Sequence, residues 1–381
     1  MEKEDRIISK LAILSISLLL MSSPAINGSL SRIQSYFELS LFKTEILSAL
    51  PSLFAVVTIL FSSYISEIFG MKSTVITGLL LVGIGGGLPA VYFNFKMIVF
   101  SRIILGIGLG MFNSLAVTYI TLFYRGQTKV RLLGLRNSFE GLGQSILTIL
   151  SGYFAHINVR YIFSIYFIAA PILLLFIQFV PSKKVAVQST TTYFRPNCFD
   201  VGIILFAIFF MINSSSLLMR FPSMSAEILN ESPWISNFLA LTPIVGIFSG
   251  AVFGLVYKKL ENELIILDLF MLVFINLIFS QMNTHIEMLV LGLVLLGVTI
   301  SWTTPYIFMI AECKTNLSSR FLNSLIVAAF NLGVLIAPFC MKLIHLLFRS
   351  ENYRTPFGVY GGLSLFILLF IGFLRCRNRF V

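Results

Sequence analysis

Apolar residues run along this chain in stretches of about 20, each cut off by a short polar or basic connection, from one end to the other. Coiled as a helix at 1.5 Å per residue, such a stretch covers about 30 Å, the thickness of a hydrocarbon core. The pattern predicts spanning helices over 9–29, 45–66, 73–93, 97–122, 132–155, 159–180, 199–220, 234–257, 264–281, 286–310, 318–346 and 356–375. The first stretch lacks a small-residue cleavage site and is long enough to span, so it is read as helix 1 rather than a signal peptide.

Composition agrees with lipid as the solvent. The chain is 57% hydrophobic and 11% charged, against about 25% charged for an ordinary globular domain, too little polar surface to coat a soluble molecule of this length. The net charge of +11 would suggest nucleic acid only if gathered on one soluble face. Here about two-thirds of the basic residues fall in connections on one side, including Lys10, Lys72, Arg125, Lys129, Lys258, Lys259 and Arg377. That bias places both termini in the cytoplasm of a multi-pass protein of the cell membrane. Cys198, Cys313, Cys340 and Cys376, like His156, His285 and His345, lack the spacing of a disulfide framework or metal site. No phosphate-binding loop, nucleophile elbow or paired catalytic acid is present, so neither an enzyme nor ATP-driven transport is indicated. No cofactor is expected beyond an ion gradient, and the expected partners are the bilayer and a small solute, with the protein acting as a monomer.

The chain divides near its midpoint. Pro181 to Cys198, PSKKVAVQSTTTYFRPNC, is polar and proline-bounded and reads as a cytoplasmic linker between a half at 1–180 and a half at 199–381. Landmarks recur at about half the chain length. Leu142 and Gly143 precede Leu332 and Gly333, Pro51 precedes Pro243, and ILGI at Ile104–Ile107 precedes LLGV at Leu295–Val298. The fold class expected is all-α: twelve transmembrane helices in two parallel repeats of six.

Several stretches carry a family resemblance. The connection SYISEIFGMKST, Ser63 to Thr74, offers an acid at Glu67, a turn residue at Gly70 and a base at Lys72. It resembles in part the helix 2–3 loop of the major facilitator superfamily, departing from it at Ser63, Ile68 and Met71. In RIILGIGLGMFNS, Arg102 with Gly106 and Gly110 is similar to that family's fourth-helix pattern, and the two glycines let a neighbouring backbone approach. AAFNLG in helix 11 resembles bacterial efflux members, and the resemblance implies that Asn331 and Gly333 sit where the half-domains pack; Gly143 is a further helix-packing candidate. The antiporter step of helix 5 is missing its proline, since Leu147, Thr148, Ser151 and Gly152 stand there.

The resemblance implies a rocker-switch carrier with its site between the halves, lined from helices 1, 4, 7 and 10. Asn27, Arg102, Asn113, Asn213, Ser214, Trp302 and Tyr306 are the cavity candidates. A guanidinium inside a span needs a partner, a cavity or a path to the interface, which is why Arg102 stands out. Arg136 and Glu140 are four apart on one helix face. Glu140 is the candidate for proton coupling, and a static pair with Arg136 is the alternative. Asp200, Asp268 and Glu312 fall near inner helix ends, and Glu45, Glu227, Glu231 and Glu287 near outer ones, where water and headgroups would satisfy them. The expected function is proton-coupled export of a small organic solute. An uptake symporter and a non-transporting membrane sensor are the alternatives.

Overall fold

The computed structural model describes residues 7–181, 198–229, 234–281, 285–314, 319–350 and 352–379, and within them the chain is helical with no strand. The connection at 182–197 and Glu231 lie outside the described residues. The first half contains α1 (Ile7–Leu19 and Ser23–Tyr36), α2 (Leu41–Phe69), α3 (Met71–Val91), α4 (Phe95–Phe123), α5 (Gly126–Ile157) and α6 (Val159–Phe179). The second contains α7 (Cys198–Leu229), α8 (Trp234–Leu260), α9 (Leu264–Ser280), α10 (Ile286–Lys314), α11 (Ser319–Phe348) and α12 (Thr355–Arg379).

Among the described residues, nine helices are each long and apolar enough to cross a membrane, and the bent α1 makes a tenth. The other two segments are α9, apolar but only 17 residues long, and the more polar α5. Large apolar side chains stand open on the outside, such as Leu60, Phe248 and Leu347 at 62%, 71% and 70% exposure, which lipid would cover.

Local chemistry sets where the helices begin. Asn94 Oδ1 accepts the Met97 N–H at 2.8 Å and Asn158 Oδ1 accepts the Arg160 N–H at 3.0 Å, satisfying donors left free at the starts of α4 and α6. The span expected over 9–29 is broken and runs further. The chain turns by 49° between Leu19 and Ser23, then continues to Tyr36. Pro24 sits at the start of the second segment, where its missing N–H costs nothing, and it prevents the first segment from running on.

Gly70 alone joins α2 to α3. Its backbone lies at φ +83° and ψ 147°, a region open essentially only to glycine. Gly70→Val is expected to cost about 1–3 kcal/mol, seen as a lower melting temperature of the purified protein. An unchanged melt would mean that the turn relaxes into another conformation.

The two halves repeat each other in their contacts. A Cβ on Gly143 of α5 would collide with the Leu18 backbone of α1, and one on Gly333 of α11 would lie 2.7 Å from the Ile208 carbonyl of α7. Gly143 and Gly333 are 190 positions apart, and so are Leu18 and Ile208. In the same way Gly106 of α4 presses on Pro51 and Phe54 of α2, and Gly297 of α10 presses on Thr242 and Val245 of α8, at an interval of 191. One packing plan is thus used twice. Gly110 adds to the α4–α2 approach, meeting Ala55 and Thr58. Gly333 therefore packs inside its own half and not between the halves, and the Asn331 amide bonds back to the Val327 carbonyl of its own helix at 3.0 Å.

Candidate functional site

The even number of spans puts the starts of α2, α8 and α12 at the end of the bundle away from the chain termini. At that end the halves meet. Phe42 of α2 lies edge-on to Phe339 of α11 with ring centroids 5.6 Å apart, and Lys342 of α11 stands 4.2 Å over the Phe42 ring. Deeper in, Ser145 Oγ of α5 donates to the Ala240 carbonyl of α8 at 3.4 Å, and Gly141 abuts Pro243 and Ile247.

The main feature of this interface is an ion pair. Glu45, in the second turn of α2, pairs through Oε1 with Nε of Arg220 on α7, and both side chains are 2% exposed. Arg220 also reaches α12's approach: Nη1 donates to the Tyr353 carbonyl at 3.5 Å, with the guanidinium 6.0 Å from the Tyr353 ring centre. Next to it, Arg354 pairs with Glu227 at 3.8 Å and donates to the Gln281 carbonyl. One turn beyond Glu45, Ala49 is buried in the apolar core of the second half. Further along α2, Leu53, Leu60 and Glu67 lie on about the same face but are exposed. The face of α2 that the second half covers at one end thus loses its cover toward the other. The expectation that water or headgroups satisfy Glu45 is corrected, because α7 and α11 close over the start of α2.

The other predicted residues are mostly turned into their own halves. Arg102 is fully buried. Its Nη1 donates to the Tyr166 hydroxyl at 2.8 Å, its guanidinium lies 4.9 Å and 5.3 Å from the Tyr166 and Phe163 ring centres, and Tyr166 donates to the Ser22 carbonyl at the α1 bend at 3.1 Å. It therefore holds α4, α6 and the α1 bend together and does not face a cavity. Asn27 accepts the Ser48 hydroxyl at 2.6 Å, linking α1 to α2. Asn213 accepts from the Asn276 amide of α9 at 3.1 Å, and Ser214 beside it is 1% exposed. The indole N–H of Trp302 donates to the Ser249 carbonyl of α8 at 3.0 Å, and Tyr306 packs on Tyr257 of α8 at 6.3 Å. In an apolar surround, a polar group without a partner is costly, and the nearest partners lie on neighbouring helices of the same half.

Partly open polar groups remain on α4 and α5. Asn113 is half-buried. Arg136 and Glu140 pair at 3.2 Å with 13% and 17% exposure, and Arg136 also donates to Asn137 at 3.0 Å. Glu140 directly precedes Gly141, so it borders the α5–α8 contact between the halves. In the helix 2–3 turn, Glu67 is exposed and Lys72 donates to the Ile177 carbonyl of α6 at 2.8 Å.

A second acid is also buried. Asp268 of α9, expected at a wetted helix end, is 2% exposed. Oδ2 accepts the Thr303 hydroxyl of α10 at 2.9 Å, and among the described residues Oδ1 has no hydrogen-bond partner. The short α9 begins at Leu264, and α10 and α12 cover its start.

Two bundles with repeated packing meet at a buried pair, and the family is decided by sequence. A model of the Major Facilitator Superfamily matches residues 12–311. The chain belongs to the Major Facilitator Superfamily. It is similar to the arabinose-proton symporter of Bacillus subtilis (strain 168), at 29% identity over 137 residues, 35% of this chain and 28% of that protein. The match therefore spans under a third of that symporter's length. An uncharacterized transporter of Buchnera aphidicola subsp. Schizaphis graminum is 26% identical over 330 residues, 82% of this chain and 74% of that one. Among solved structures, the inward-open xylose transporter XylE from E. coli superposes with a TM-score of 0.74 at 15% identity, covering 95% of this chain and 94% of that one. A point mutant of the nucleoside transporter NupG gives 0.77 at 11%, covering 96% and 98%. At these identities the likeness is one of fold. As a superfamily member, the chain is a secondary transporter of a small solute across a lipid bilayer and not an enzyme. The export branch suggested by the α11 stretch finds no support among these relatives.

Proposed function

We propose that this chain is a proton-driven uptake carrier for a small hydroxylated solute of the sugar or polyol class. It would work in the cell membrane with both termini in the cytoplasm. The observation that carries this reading is the buried Glu45–Arg220 pair, which ties the halves together at the end away from the termini. A carrier that alternates access must make and break such a contact once per cycle. While the pair is formed, that end is shut. Separating the partners leaves two charges in a dry interface, so the end stays shut until solute or a change of charge offsets the cost.

The solute class draws support from what relatives are named for: arabinose with a proton, xylose, and, for a protein of Gibberella moniliformis 31% identical over 120 residues, 31% of this chain and 21% of that one, myo-inositol. The excess of basic residues on the terminal side supports the orientation, which would make the shut end the outer one. Reconstitution into proteoliposomes tests the reading. With the outside acidic, arabinose, xylose, inositol or a nucleoside should accumulate, and a protonophore should abolish accumulation while leaving exchange of labelled for unlabelled solute. Accumulation only in the opposite direction would mean export, and no exchange of any compound would favour the sensor.

A further inference from the structure

The acids of the helices differ in what balances their charge. Glu45 has Arg220, Glu140 has Arg136, and Glu227 has Arg354. Asp200 sits in the first turn of α7, where the helix dipole favours a negative charge. Asp268 has none of these. It lies beyond the first turn of α9, it is only 2% exposed, and no described lysine or arginine pairs with it. Between Glu287 and Glu312 of α10 the sequence has no charged residue, and between Thr355 and Leu374 of α12 it has none either, with Arg375, Arg377 and Arg379 following at the end of α12. The titratable side chains on those stretches are Tyr306, packed on Tyr257, and Tyr360, in the part of α12 toward the opposite end. Lys258 and Lys259 at the end of α8 are exposed, as are Glu261 and Glu263 before α9. A bare carboxylate here, with one oxygen bonded to Thr303 and the other to nothing, would be an uncompensated charge within a membrane protein.

We propose that Asp268, held by Thr303, is the site that carries the coupling proton. This inference rests on the proton-driven reading above. With the proton on Oδ1 the carboxyl is neutral while Oδ2 accepts the Thr303 hydroxyl. Release to water converts the acid to a carboxylate and takes the site from charge 0 to −1, and re-uptake reverses this. Geometry on α10 links the site to the contacts with α8. Trp302 is the residue next to Thr303, and its indole N–H and the Ser301 hydroxyl both bond Ser249 of α8. Pro305 removes the N–H that would bond the Ser301 carbonyl, so α10 lacks a rung beside these contacts. A shift of α10 as solute binds would move Thr303 relative to Asp268 and change the stability of the proton there.

Infrared difference spectra of the full chain in liposomes, taken between acid and alkaline pH, read the proton directly, without any solute. The wild type should show the carbonyl stretch of a protonated buried carboxyl group. Asp268→Asn should lose that band, and Thr303→Val should keep it but move it to higher frequency, because a hydrogen bond is gone. In the transport assay, Asp268→Asn should retain exchange and lose gradient-driven accumulation. A wild-type spectrum indistinguishable from that of Asp268→Asn would overturn the proposal, as would driven accumulation that survives the substitution. If the wild type moves none of the solutes, the transport reading fails, while the band still decides whether Asp268 holds a proton.

Discussion

Replacing Arg220 with methionine is expected to lower the unfolding free energy by about 3–5 kcal/mol, because it strands the Glu45 carboxylate in a site that is 2% exposed. Glu45→Leu strands the guanidinium instead. Its cost should be smaller, since Arg220 keeps the Tyr353 carbonyl and ring. The double variant Glu45→Leu with Arg220→Met removes both charges and fills the space with apolar groups of similar volume. It should recover most of the loss and can exceed the wild type, as buried pairs replaced by hydrophobic residues often do. Thermal unfolding of the purified protein and a double-mutant cycle measure this. A coupling below about 0.5 kcal/mol would mean that the two residues act independently. The Arg220→Met variant, with an unpaired Glu45 in the interface, should fold yet no longer hold that end shut. Spin labels placed on α2 and α11 near Phe42 and Phe339 should report one short distance in the wild type and a broad distribution in the variant.

Much of this architecture is legible in the sequence, for a physical reason. A spanning helix must be apolar over a length set by the bilayer, so among the described residues ten of the twelve segments announce themselves one by one, and the short α9 and the more polar α5 do so less clearly. The repeat is legible as well, because close helix packing admits only glycine at fixed places. Gly143 and Gly333, or Gly106 and Gly297, therefore recur at the same interval as the backbones they touch. What the chain conceals is which neighbour covers a given face. Glu45 and Asp268 stand near the ends of apolar runs, which suggests contact with water. Their burial depends on α7 and α11 in one case and on the following helix α10 and α12 in the other, contacts that the local sequence does not announce. Arg102 and Asn213 fail in the opposite direction. Each occupies a helix expected to line a cavity, yet each finds its partner within its own half, on Tyr166 and Asn276. The break in α1 could have been read from Ser22, Ser23 and Pro24, a turn-forming run inside an apolar stretch.

The packing glycines give the other large expected effect. At Gly143 a methyl group would meet the Leu18 backbone, at Gly333 the Met211 Cβ at 2.6 Å and the Ile208 carbonyl at 2.7 Å. A clash with a flexible side-chain tip is relieved by a rotamer change, but a clash with backbone is relieved only by moving a helix. Gly143→Ala should therefore cost at least the roughly 1–3 kcal/mol typical of overpacking, as much as or more than Gly333→Ala. Gly134 provides the control on the same helix: nothing lies within 4 Å of its added Cβ, and Gly134→Ala should stabilise α5 by roughly 0.5–1 kcal/mol. Melting temperatures of the three variants should thus shift down, down and up. Because Gly143 and Gly333 pack in different halves, their losses should add when combined. If Gly143→Ala melts like Gly134→Ala, α5 does not bear on α1 as closely as this fold requires.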